Sequence, residues 1–100
     1  MDADSEHLSI EFHNRARNLF FSHFRDFNIA IEQVDRRKDE RTFLQQQEKY
    51  LSSLQQQLQL IAQEIINKNH SCRNIGQLSQ KLNYFISDYM HQFVMKVNAL

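Results

Sequence analysis

The sequence predicts an all-α fold, a three-helix antiparallel bundle, from the residues it lacks and from those it favours. The 100 residues include no Pro and a single Gly, Gly76, whereas a small sheet protein needs Gly, Pro or Asn-Gly pairs in its tight turns. Gln, Leu, Glu, Lys and Arg, which are good helix formers, are abundant. This length corresponds to one domain, residues 1–100, with a thin core.

The first helix is predicted over residues 4–34, with Asp4 and Ser5 near its start as capping side chains. Apolar residues then recur at alternating spacings of four and three, which is typical of a coiled-coil seam. They are Phe20, Phe24, Phe27, Ile31 and Val34. We therefore expect coiled-coil-like packing along this face.

Seven consecutive charged residues, 35–41, follow the first helix. A turn here gives a helical hairpin, which we favour because a short chain must bury its apolar stripe. The alternative is one continuous rod of roughly 60 residues within an oligomeric bundle, which the lack of Gly and Pro would allow.

The second helix is predicted over residues 42–67 and the third over residues 72–98. The polar segment between them is rich in Asn, and Ser71 is a candidate cap of the third helix. Apolar residues of the third helix again share one face. They are Ile75, Leu78, Leu82, Phe85, Ile86, Tyr89, Met90, Phe93 and Val97.

Charge and cysteine usage exclude several classes of protein. The 12 basic and 12 acidic residues cancel, which argues against a dedicated nucleic-acid or anionic-membrane surface. Cys72 is alone, so no internal disulfide can form. The acidic N-terminus is unlike a signal peptide, and no apolar stretch approaches the ~20 residues that span a bilayer. We expect an intracellular protein, cytoplasmic or nuclear, that does not associate with membranes.

Catalytic, cofactor and metal sites are not predicted. The sequence contains neither a glycine-rich phosphate loop nor a G-x-S-x-G motif. Asp88 and His91 have the spacing of ligands in di-iron bundles, but they face away from the apolar stripe and have no second set of ligands. His13 and His23 fall within the aromatic stripe of the first helix. We favour satisfied, partly buried histidines there, with a pH-sensitive interface as the alternative.

The predicted function is a non-catalytic protein–protein interaction module. Eight Phe and three Tyr are many for a small helical chain, and several apolar residues, including Phe21 and Tyr84, lie off the main faces. We therefore expect a self-associating subunit or adaptor of a larger assembly, most simply a dimer, that buries aromatic helix faces. The predicted interface residues are Phe20, Phe24, Phe27, Ile31, Phe85, Tyr89 and Phe93.

Two alternatives belong to other functional classes. One is a small nucleic-acid-binding regulator that contacts phosphates through basic residues of the first helix and the charged segment. Those residues are Arg15, Arg17, Arg25, Arg36, Arg37, Lys38 and Arg41. The other is a small chaperone or inhibitor that covers an apolar segment of a client protein.

Overall fold

The computed structural model describes residues 3–69 and 74–100. Within these residues the chain forms the helices α1 (Ala3–Ala30), α2 (Glu40–Lys68) and α3 (Ile75–Asn98), which confirms the predicted three-helix bundle. The bundle measures 53 × 20 × 17 Å, as expected when helices of this length lie side by side. Residues 70–73 lie outside the described residues. They include Ser71, the predicted cap, and Cys72, the predicted first residue of the third helix.

The contacts between helices define an up-down-up arrangement. The rings of Phe27 and Phe43 lie 5.6 Å apart next to the hairpin, and Arg15 contacts Glu64 at 2.8 Å farther from it, so α1 and α2 are antiparallel. His13 contacts Tyr89, and Phe20 contacts Phe93, so α1 and α3 are parallel. α2 is therefore antiparallel to both of its neighbours.

The charged segment forms a turn, so the alternative of a continuous rod is wrong. α1 ends at Ala30 and α2 begins at Glu40, whereas we predicted residues 34 and 42. The Asp35 carboxylate accepts hydrogen bonds from the backbone N–H groups of Arg37 and Lys38 at 3.0 and 3.4 Å. A side chain that bonds the local backbone in this way competes with the helix, which explains a turn without Gly or Pro.

Short capping contacts complete the hairpin. Ile31 and Val34, predicted as the last residues of the helical seam, still pack against the core, but they do so from the turn. The Asp39 carboxylate accepts from the Thr42 N–H at 3.3 Å and caps α2.

The core consists of apolar residues that each helix supplies at helical spacing. Burial of each large apolar side chain contributes about 1.5–3 kcal/mol relative to exposure. The buried apolar residues are Leu8, Phe12, Ala16, Phe20, Phe27, Phe43, Leu54, Leu58, Ile61, Ala62, Ile65, Leu78, Leu82, Ile86, Phe93 and Val97. These stripes hold the bundle together and leave the outer helix surfaces to face solvent.

Candidate interaction groove between α1 and α3

The residues predicted to contact a partner pack within the bundle of a single chain. Phe20, Phe27 and Phe93 are buried within one chain. The remaining predicted interface residues are half-buried and pack against the core; they are Phe24, Ile31, Phe85 and Tyr89. Aromatic side chains of this size are needed to fill the space between the helices of a small bundle, so a partner cannot reach the buried rings while the bundle remains closed.

The Phe93 ring is the centre of the contact between α1 and α3. Its centroid lies 5.9 Å from that of Phe20 and 6.0 Å from those of Phe24 and Phe27. The planes of Phe20 and Phe24 are nearly perpendicular to that of Phe93, an arrangement in which positive ring edges meet negative ring faces. Large rings also hold helix axes apart, because interaxial distance depends on the side chains at the contact.

Above this aromatic contact lies a hollow, which we call the α1–α3 groove. Its volume is about 310 Å³. α1 contributes His13, Arg17, Phe20 and Phe21, and α3 contributes Asp88, Tyr89, Gln92 and Lys96. Phe20 and Tyr89 form the floor, since they are buried and half-buried, while Arg17 and Phe21 on one rim and Asp88, Gln92 and Lys96 on the other are exposed.

A hydrogen bond between His13 and Tyr89 crosses the groove. The His13 Nδ1 lies 2.9 Å from the Tyr89 hydroxyl, and the imidazole ring packs 4.3 Å from that of Phe85. Burial lowers the pKa of His13, the Arg17 charge lowers it further, and Asp88 opposes both. The neutral imidazole is thereby favoured, so its Nδ1 can accept a hydrogen bond from the tyrosine. Burial raises the pKa of Tyr89, which keeps that proton on the hydroxyl.

Charges of both signs lie on the rims of the groove. The Gln92 amide donates to the Asp88 carboxylate at 2.8 Å, and the Lys96 ammonium lies 5.5 Å from the Phe24 ring centroid. Ion pairs among the described residues join Arg15 and Lys68 to Glu64, and Arg25 to Asp26. Arg17, Lys96 and Asp88 take part in none of these ion pairs; within the chain they contact neutral groups, namely the Tyr89 hydroxyl, the Phe24 ring and the Gln92 amide.

His23, the other predicted pH-sensitive residue, belongs to a buried polar network between α1 and α2. Its Nδ1 lies 2.9 Å from the Leu19 carbonyl oxygen, so this nitrogen carries the proton, and its Nε2 accepts from the Ser53 hydroxyl at 3.0 Å. The Gln57 amide donates to the same hydroxyl at 3.1 Å. This is the satisfied histidine that we favoured from the sequence.

The contact between Ser53 and His23 resembles a nucleophile paired with a base, but its surroundings favour a structural role. Acyl transfer also needs free N–H donors that stabilise an oxyanion. Ser53 lies in the middle of α2, where the backbone N–H groups already bond within the helix. We therefore interpret this network as part of the packing between α1 and α2.

The basic residues considered for nucleic-acid binding are dispersed over the bundle. Arg15 pairs with Glu64 beside α2, whereas Arg17 lies in the α1–α3 groove. The two side chains project about 160° apart, because adjacent residues of a helix differ by about 100°. Arg25 pairs with its neighbour Asp26.

The remaining basic residues lie around the hairpin, away from both Arg15 and Arg17. The Arg36 guanidinium lies over the Phe43 ring at 4.7 Å, and Arg37, Lys38 and Arg41 are exposed there. A surface for nucleic acid needs cations clustered on one face. Because the seven residues lie in separate places on the bundle, they give this alternative less support, and nucleic-acid binding through them stays a prediction.

Within residues 3–69 and 74–100, no three residues among His, Cys, Asp and Glu come close enough together to hold a metal ion. Within the same ranges, none of the helices has both the length and the apolar character needed to cross a bilayer.

The comparisons with known proteins give no family to which the chain can be compared. No protein-family model matches it, and neither does a curated protein or a solved structure. Its function must therefore be inferred from its own surface.

Sequence reasoning identified part of the α1–α3 groove. It placed Phe21 and Tyr84 off the main apolar faces, and both are exposed. It missed Gln92 and Lys96, because a polar residue beside an apolar stripe is common on any helix. Their spacing from Tyr89, three and seven residues, places them on the same side of α3 and was the one available signal.

Proposed function

We propose that this protein is a non-catalytic protein–protein interaction module, a subunit or adaptor that binds another polypeptide through the α1–α3 groove. The proposal is based on the exposed position of Phe21. Its side chain is 56 % exposed on the rim of a hollow whose floor is already aromatic. A partner that covers this ring would remove apolar surface from water without opening the core.

Other exposed apolar residues extend the surface around the groove. Ile10 precedes Phe21 by eleven residues, about three helical turns, so both side chains project from the same side of α1. The Tyr84 ring, which is exposed, lies 6.3 Å from that of Phe85, and Phe85 contacts His13 across the groove. Several exposed apolar residues beside a hollow with charged rims are typical of a protein interface.

The polar groups of the groove support recognition of a polypeptide. A docking protein segment carries side chains of either charge together with apolar groups, and the groove offers Arg17, Asp88 and Lys96 beside aromatic rings. The dispersed arginines give less support to nucleic-acid binding. A client protein that uses the groove, as in the chaperone alternative, is one outcome of the test.

Site-specific photo-crosslinking in the organism's own cells tests this function. A benzophenone amino acid replaces Gln92 in the groove or, as a matched control, Gln59, which is exposed on α2. We expect irradiation to give a discrete larger protein band from position 92 and none from position 59. If position 92 gives no such band, the proposed function is wrong. The mass of the band distinguishes a second copy from a different protein.

A further inference from the structure

We infer that the occupant of the α1–α3 groove is a second copy of this chain, related by a two-fold axis that runs along the groove. The inference rests on the proposed function, because it assumes that this groove is the binding surface. Its basis is the charge on each wall that joins none of the ion pairs among the described residues: Arg17 on α1 and Asp88 on α3. Under this symmetry, α1 of each copy faces α3 of the other.

The register of α1 and α3 places Arg17 and Asp88 at about the same level along the bundle. His13 contacts Tyr89 and Phe20 contacts Phe93, so Arg17 lies level with the turn formed by residues 88–92. A two-fold axis parallel to the helices exchanges α1 and α3 but leaves each residue at its level. Arg17 of one copy therefore faces Asp88 of the other, and the symmetry produces this ion pair twice.

The shape of the groove fits the same arrangement. Phe21 protrudes from α1 at the level of Gln92 and Lys96, which line the hollow on α3. In the dimer, the Phe21 ring faces that hollow in the second copy, where the alkyl part of the Lys96 side chain can cover it. Each copy thus supplies both a protruding ring and a recess.

The mixed charge of the groove favours a second copy over a ligand of one sign. An anionic ligand would meet Asp88 as a like charge, and a cationic one would meet Arg17 and Lys96. A two-fold axis along the groove places the α1 wall of each copy opposite the α3 wall of the other. The positive charge of Arg17 then meets the negative charge of Asp88, so the surface is complementary to a second copy of itself. The net charge of zero also removes long-range repulsion between copies.

Analytical ultracentrifugation of the whole chain tests the role of Phe21. We expect a concentration-dependent dimer. Phe21→Asp should raise the dimer Kd about 100-fold or more, since two rings lose their apolar contacts. The matched control is Leu60→Asp on the α1–α2 side, where Leu60 is 64 % exposed, and it should leave the Kd unchanged. Circular dichroism verifies that both variants stay helical.

A charge-reversal pair separates contacts between chains from contacts within one chain. Arg17→Glu alone places two carboxylates opposite each other at both sites, and Asp88→Arg alone places two guanidinium groups opposite each other, so each variant should be monomeric. Mixed together, they form a heterodimer in which both sites join opposite charges, and dimer mass should return. Within each single chain the repulsion persists, so recovery on mixing can arise only from pairing between copies.

A wild-type chain that remains monomeric at about millimolar concentration overturns the inference, as does a mixture of the reversed variants that stays monomeric while the wild type dimerises. If position 92 crosslinks a different protein and the chain is monomeric, the proposed function stands and only the second copy is excluded. If position 92 crosslinks nothing, the groove is not the binding surface.

Discussion

The two sides of α1 form very different contacts. Toward α2, aromatic rings are concentrated at the hairpin end, where Phe27 meets Phe43 and Tyr50, and the rest of the buried face of α2 is aliphatic. Toward α3, aromatic rings occur along the whole contact, from Phe12 against Phe85 to Phe27 against Phe93. α2 approaches α1 more closely along its length than α3 does. Side-chain size thus sets how closely each neighbouring helix approaches α1.

The polar groups in these two contacts differ as well. His23 is buried and satisfied on both ring nitrogens, whereas His13 is half-buried beside the groove and close to Arg17 and Asp88. A histidine therefore joins α1 to α2 by hydrogen bonds on one side of α1. On the other side, burial and the charges of Arg17 and Asp88 set the pKa of His13.

Phe93→Ala should have the largest effect, because it removes the ring that three α1 rings surround. We expect a loss of about 3–5 kcal/mol in the free energy of unfolding, measured by urea titration followed by circular dichroism. Met95→Ala, at an exposed position of the same helix, should change it by less than about 0.5 kcal/mol. Equal effects of the two variants would contradict the central role of Phe93.

His23→Ala should cost about 2 kcal/mol, because it opens a cavity and removes the bonds that join α1 to Ser53. Ser53→Ala should cost about 1 kcal/mol, since the buried imidazole loses its main donor. The double variant should be less destabilised than the sum of the single variants by about 0.5 kcal/mol or more. Strict additivity in urea titrations would show that the two side chains act independently.

His13 should make stability depend on pH. Folding lowers its pKa from 6.5, so the unfolded chain binds the proton first as the pH falls below 6.5. Stability should therefore be highest above pH 6.5, decline as the pH falls from there, and level off below the folded pKa. Urea titrations between about pH 7.5 and 5.5 measure this decline. It should shrink in His13→Gln and persist in His91→Gln, which alters an exposed histidine.

Glu64→Gln should have the smallest effect. The Arg15 guanidinium and the Lys68 ammonium, through hydrogen bonds and charge, lower the pKa of this half-exposed carboxyl. Its ion pairs are screened by salt, so we expect a slight loss of stability at low ionic strength that disappears at high ionic strength. A loss that persists at high salt would mean that Glu64 contributes through packing instead.

The fold was predictable because helix formation depends on local residue choice and on spacing. Gln- and Leu-rich segments without Pro predict helices, and apolar residues at spacings of three and four predict which faces are buried. The end of α1 was less predictable. Ile31 and Val34 continue the apolar spacing, yet α1 ends at Ala30 and both residues lie in the turn, where the Asp35 carboxylate bonds to the backbone N–H groups that follow it.

Sequence alone determined the helices and their apolar faces, since these follow from side-chain size, polarity and spacing within one segment. Tertiary structure decided which partner each face meets. Phe20, Phe27 and Phe93 have the spacing of an interface, but they fill the core because α3 lies parallel to α1 at the matching level. The groove likewise depends on two helices far apart in sequence, and its dimensions are set by how closely their rings allow them to pack.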